Sequence, residues 1–189
     1  MRPACGQRVE IMSNQTENQA EATLYKPHAF HVDEWQTLDA EAELPAAGAY
    51  FLGLDRALEL LEAGKPAFRL GVIVDAGEDV TRIGDHLDKI EAVAVNFPAF
   101  ADGRAFSSSR LLRERYDYKG EVRATGAYIL DQMPMLVRCG VDAFDVQDPN
   151  VRAGLERGEW PDVTNYYQPT GNDEQLVNNP RPWLRRSFG

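Results

Sequence analysis

The sequence predicts an α/β fold, with four or five mainly parallel strands alternating with helices in a half-barrel-like or open doubly wound sheet, and tails at both ends. Three observations lead there. Strand-like and helix-like apolar runs alternate four times with short connections, the pattern of parallel strands joined by right-handed crossovers. The runs "GVIV" and "AVAV" are apolar at successive positions, as in strands covered on both faces. The chain, 189 residues with 43% hydrophobic and 26% charged residues, is long enough and apolar enough for one buried core.

Residues 1–23 are polar and read as a disordered tail. Met12 opens a more natural polar start than Met1, which would make Met1–Ile11 a mis-called extension. A single α/β domain is expected over 24–148. Within it, 23–38 has short alternating apolar positions and reads as a strand or hairpin before the main sheet. Over 54–64, Leu54, Ala57, Leu58 and Leu61 share one helical face, and Gly64 stands where a C-terminal cap belongs.

The segment 68–76 reads as a buried strand ending at Asp75, and 79–90 as a short helix with Ile83, Leu87 and Ile90 at helical spacing. Strand 91–97 and helix 104–116 follow, then strand 121–126 and helix 127–140. The face of that last helix would be Ile129, Leu130, Met133, Leu136 and Val137, with a kink expected at Pro134. Residues 143–146 make one more strand. Residues 149–189 read as a helix followed by an extended arm anchored by Tyr166, Tyr167, Trp183 and Phe188.

The formal net charge of −10 argues against binding nucleic acid or an anionic membrane. No run approaches a membrane span, and the first residues lack the apolar stretch of a secretory signal, so a cytoplasmic location is expected. Two distant cysteines offer neither a disulfide framework nor a CxxC site, and Cys139 at a helix end reads as a small buried apolar group. The three histidines lack metal-ligand spacing. No GxGxxG, Walker or GxSxG motif is present, so neither a metal nor a cofactor is expected.

The informative stretch is "NFPAFADGRAFSSSR" at 96–110, a strand end opening a helix with more polar groups than a turn requires. In parallel α/β folds, sites form at the carboxyl ends of strands. Those ends supply Asp75, Asn96, Arg123 with Thr125, and Asp145, and the next loop adds Asp102, Arg104 and Ser107–Ser109, so all these side chains are expected on one rim of the sheet. Arg104, Ser107, Ser108 and Arg110 stand at a helix start, where free N–H groups attract anions. Six Lys or Arg face three Asp or Glu between 104 and 123, reversing the overall charge. Two readings stand side by side: an anion site, or capping by Asp102 or Ser107 with Arg110, Arg113 and Arg115 on a solvated face. Arg123 alternates with apolar neighbours inside a strand. It reads either as an ion pair with Asp145 or Asp102, or as a guanidinium aimed at an anion.

The block 96–144 closely resembles a bacterial family, domain of unknown function nine-three-four. The resemblance lies in F-x-x-F-x-D-G-R (Phe97 to Arg104), the helix start carrying Arg110 and Arg113, K-G-E-x-R-A-x-G (Lys119 to Gly126), and D-Q-x-x-x-L-x-R-C-G-x-D-A-F (Asp131 to Phe144). The sequence departs from that pattern at Thr125, Ala127 and Pro134. Members carry an oxidoreductase label tied to sulfite reduction, which rests on genes lying beside those of sulfite reductase. The resemblance implies an accessory protein of assimilatory sulfite reduction that binds a partner reductase, a small oxyanion, or both. The competing expectation is an enzyme on a small anionic substrate, with Arg104 and Arg123 as clamps and Asp102 or Asp131 as acid or base. Nothing in the residues alone demands an enzyme.

Overall fold

The computed structural model of the chain describes residues 22–26, 28–64, 66–161, 165–166 and 185–186. Of the expected disordered tail at 1–23, residues 1–21 lie outside them, as do the alternative start and the anchors Tyr167, Trp183 and Phe188, while the carbonyls of Ala22 and Thr23 accept hydrogen bonds from Arg152 and Val146. Strands β1 (Leu24–Lys26), β2 (Ala29–His31), β3 (Gln36–Thr37), β4 (Ala49–Gly53), β5 (Arg69–Val74), β6 (Ala92–Phe97), β7 (Glu121–Gly126) and β8 (Ala143–Asp145) form one eight-stranded sheet in the order β2-β1-β8-β7-β6-β5-β4-β3. From β3 to β8 every neighbouring pair is parallel, and the β1–β2 hairpin adds itself antiparallel to β8. Asn165–Tyr166 and Arg185–Arg186 pair as two short antiparallel strands, β9 and β10.

Sequential order from β3 to β8 settles the choice between the two expected sheets: this is a curled half-barrel. A doubly wound sheet reverses its order at a switch point, and this one does not. Chain length forces the curl. β2 and β3 lie on opposite edges, seven strand spacings or about 34 Å apart in a flat sheet. Residues 32–35 alone connect them, and the five steps from His31 to Gln36 span at most about 18 Å. The edges are therefore drawn toward one another, with 32–35 lying as a strap across the concave side.

Right-handed crossovers in sequential order put the connecting helices on one face. These are α1 (Leu54–Ala63), a 3-10 helix at Val80–Lys89, α2 (Arg104–Glu114) and a 3-10 turn at Leu130–Gln132 running into α3 (Met133–Arg138); α4 (Pro149–Glu156) follows the last parallel strand. Their apolar faces meet alternate strand residues (Leu52, Val72, Val93, Val95, Val122, Phe144) in the main core. The concave face holds a smaller cluster of Phe51, Ala92 and Ala94 under Trp35 and Ile73. Gly71 belongs here, because a Cβ at that position would collide with the Phe51 ring and press on Trp35.

Several elements depart from expectation. β4, where no strand was expected, passes straight into α1 with Gly53 at the junction. The segment 79–90 is a 3-10 helix started by Asp79, which accepts the Thr81 N–H at 2.9 Å. Helix 127–140 is shorter than expected. Tyr128 is buried and donates its hydroxyl hydrogen to the Asp145 carbonyl at 2.7 Å, so its neighbours stay extended. Pro134 sits in the first turn of α3, where its missing N–H costs nothing, and it opens the helix instead of kinking it. The buried face is Met133, Pro134 and Leu136, while Ile129 and Val137 are exposed. Among the described residues no helix is long and apolar enough to cross a membrane.

Candidate functional site

Strand register assembles the site. Val74 pairs with Val95, Asn96 with Thr125, and Ala124 with Phe144. One step beyond the β5 pairing, Asp75 accepts a hydrogen bond from Asn96 Nδ2 at 2.7 Å. The same register sets Thr125 beside Asp145. The result is a polar row, Asp75–Asn96–Thr125–Asp145, across four parallel strands at their carboxyl ends, as the strand-end reading expects. Gly126 holds the row tight: its φ is +92°, and a Cβ there would strike the Phe97 carbonyl and crowd Asn96 Oδ1. Burial pushes the Asp145 pKa up and Asp33 adds to it, while a 2.7 Å bond from Gln147 and the charge of Arg123 oppose. A carboxyl raised in this way is suited to holding or passing a proton.

Arg123 lies one layer deeper on the same face, 2% exposed. Its Nε and Nη2 donate to Glu121 Oε1 at 2.9 and 2.7 Å, and Nη1 donates to Asp33 on the strap. The guanidinium also sits 5.0 Å over the Phe51 ring. Its ion-pair partners are thus Glu121 and Asp33, not the expected Asp145 or Asp102. Glu121 also takes Lys26 at 2.8 Å. Burial alone would raise the Glu121 pKa, but the Lys26 bond and Arg123 outweigh it, and the net shift is downward. Alternation within β7 hinted at Glu121, which shares a face with Arg123. Nothing local pointed to Asp33, ninety positions away.

The other nominated residues do not join the row. Asp102 and Arg104 pair with each other at the start of α2, and the Arg104 side chain reaches Gly77 in the loop after β5. Hydrogen bonds from the Arg104 side chain and backbone hold the Asp102 pKa down to about 2. Gly103 occupies the N-cap position of α2, and Asp102 just before it accepts the Arg104 N–H at 3.2 Å. Ser107 is exposed, Ser108 half-buried, and the buried Ser109 donates to the Ala105 carbonyl at 3.0 Å. Arg110 pairs along the helix with Glu114 at 2.8 Å. Asp131 is exposed on the turn before α3. Phe100, in the loop after β6, is 58% exposed. Its carbonyl accepts from Gln132 Nε2 at 3.2 Å, which ties that loop to the one after β7.

At the opposite end, Arg113 is a clasp rather than a solvated side chain. It donates to the carbonyls of Gly140 at 2.9 Å, Gly120 at 3.0 Å and Tyr118, and pairs with Asp142. Asp142 also accepts the Val122 N–H at 2.9 Å. Gly140 has φ +97°, and any Cβ there would run into Arg113. Cys139 is buried and its thiol pKa is raised by burial, so it packs as a small apolar group. Among the described residues no group of His, Cys, Asp and Glu is arranged to hold a metal ion.

Residues 71–177, more than half of the chain, match the model of a family described as a bacterial protein of unknown function (DUF934), and the chain belongs to that family. No curated protein matches it.

Proposed function

We propose that this member of the family is a cytoplasmic accessory protein of assimilatory sulfite reduction, docking a partner reductase through the carboxyl-end rim of the half-barrel. The observation that carries the docking is Phe100. An aromatic side chain 58% exposed, on a loop that Gln132 ties to the N–H of the part-exposed Ile129, is the profile of an interface anchor. The nominated cations favour docking over capture of a free oxyanion, since each has a carboxylate partner: Arg104 with Asp102, Arg110 with Glu114, and Arg123 with Glu121 and Asp33. The link to sulfite reduction comes from the family resemblance. The test is affinity capture from cells grown on sulfate, using wild type and Phe100→Ser. Wild type enriches sulfite reductase or another sulfur-assimilation enzyme and the variant does not. Absence of any such enzyme, or equal capture by both proteins, rejects the reading.

A second reading is an enzyme acting on a small anionic substrate at the polar row. The raised pKa of Asp145 favours it, and makes Asp145 the acid or base in place of Asp102 or Asp131. It requires that sulfite, sulfate or phosphate raise the melting temperature, and that Arg123→Lys and Asp145→Asn each reduce the shift. An unchanged melting temperature with all three anions ends it.

A further inference from the structure

A cleft of about 650 Å³ opens at the amino ends of β7 and β8, away from the polar row. Its volume falls in the range of small-molecule sites, roughly 300–1,000 Å³. Tyr25, Phe144 and Trp160 form its apolar floor, and Val137, 44% exposed on α3, forms one wall. Lys26, His28 and Lys119 stand on its rim. The two carboxylates lining it are already compensated. Glu121 is shared by Lys26 and Arg123, and Asp142 is held by Arg113 and the Val122 N–H. Among the described residues, Lys119 pairs with the equally exposed Asp117. The clasp around Arg113 makes the back of the cleft rigid.

His28 supplies an independent observation. It occupies the hairpin turn with φ +67°, a left-handed conformation that glycine or asparagine adopts more easily. Here the imidazole is placed on the rim of the cleft.

We propose that this cleft is a second binding site, for a small amphipathic anion. The ligand's flat apolar body would lie against Tyr25, Phe144 and Trp160, and its carboxylate or sulfonate would meet His28 and Lys119, whose exposed pair with Asp117 is weak. The site is independent of the proposed docking rim. Two probes of nearly identical body test it on the full chain: 1-anilinonaphthalene-8-sulfonate and the uncharged N-phenyl-1-naphthylamine. The sulfonate binds saturably at one site, about tenfold tighter than the neutral dye, as one charge-assisted hydrogen bond implies. Val137→Asp, at an exposed position, leaves the melting temperature unchanged and cuts sulfonate affinity at least about tenfold. His28→Gly raises the melting temperature while erasing most of the preference for the charged probe. Equal binding of the two dyes, non-saturable binding, or undiminished affinity in Val137→Asp overturns the site. A His28→Gly protein that keeps the preference overturns the role of His28.

Discussion

The two ends of the half-barrel use charge in opposite ways. At the amino end, Arg113 spends its donors on three carbonyls and Asp142, crosslinking α2, the turn before β7 and the turn before β8. At the carboxyl end, Asp75, Asn96, Thr125 and Asp145 are aligned by register but joined in pairs at most, and one of them carries a carboxyl that folding disfavours in its charged form. Residues that carry the family resemblance fall on both sides. Arg113, Gly140 and Asp142 have structural work, while Phe100, Asp102 and Arg104 stand at or near the surface. A family signature is thus a mixture of fold and function, and only geometry separates the two.

The largest expected effect comes from breaking the clasp. Arg113→Met strands several part-buried acceptors and should cost about 2–4 kcal/mol of stability, read by urea unfolding. Gly140→Ala forces a side chain into a left-handed conformation and against Arg113, for about 1–3 kcal/mol. If either variant is no less stable than Asp145→Asn, the two ends do not differ as described.

Between the ends, Glu121 links acid stability to the buried Arg123. Its folded pKa lies below the ordinary value of 4.5, so it contributes stability that is fully present above that pH and lost as the pH falls through the folded value. Glu121→Gln should flatten that acid limb and lower stability at neutral pH, because Arg123 and Lys26 lose their shared partner. A variant with the wild-type acid limb excludes this linkage.

The smallest effect belongs to the rim. The Asp145 pKa is raised, so its contribution to stability falls as the pH rises through the folded value. Asp145→Asn should therefore leave stability at pH 7 unchanged or slightly higher. A clear loss by thermal unfolding would place Asp145 with the structural residues.

Much of the fold was legible locally. β7 at Glu121–Gly126 matches its expected span, and α1 ends where Gly64, at φ +144°, donates its N–H to the Leu60 carbonyl. Of the expected rim residues, Asp75, Asn96, Thr125 and Asp145 line up because alternation within parallel strands fixes which side chains share a face, while Arg123 lies a layer deeper and Asp102 and Arg104 pair with each other. β4 was not read as a strand: its short run is bracketed by Gly48 and Gly53 but passes directly into α1, so its apolar residues merge with the helical pattern. Nor was the clasp legible: Arg113 on a helix face reads as solvated until the turns at Tyr118 and Gly140 are folded against it.

By itself, then, the sequence determined the alternation of strands and helices, the burial of the helix-covered face and the approximate strand ends. These depend on periodicity and capping between residues a few positions apart. Tertiary structure alone decided the sequential strand order, the curl imposed by the short strap, and the partners of Arg123. Those depend on which distant segments exchange hydrogen bonds, and a pairing such as Asp33 with Arg123 leaves no periodic trace along the chain.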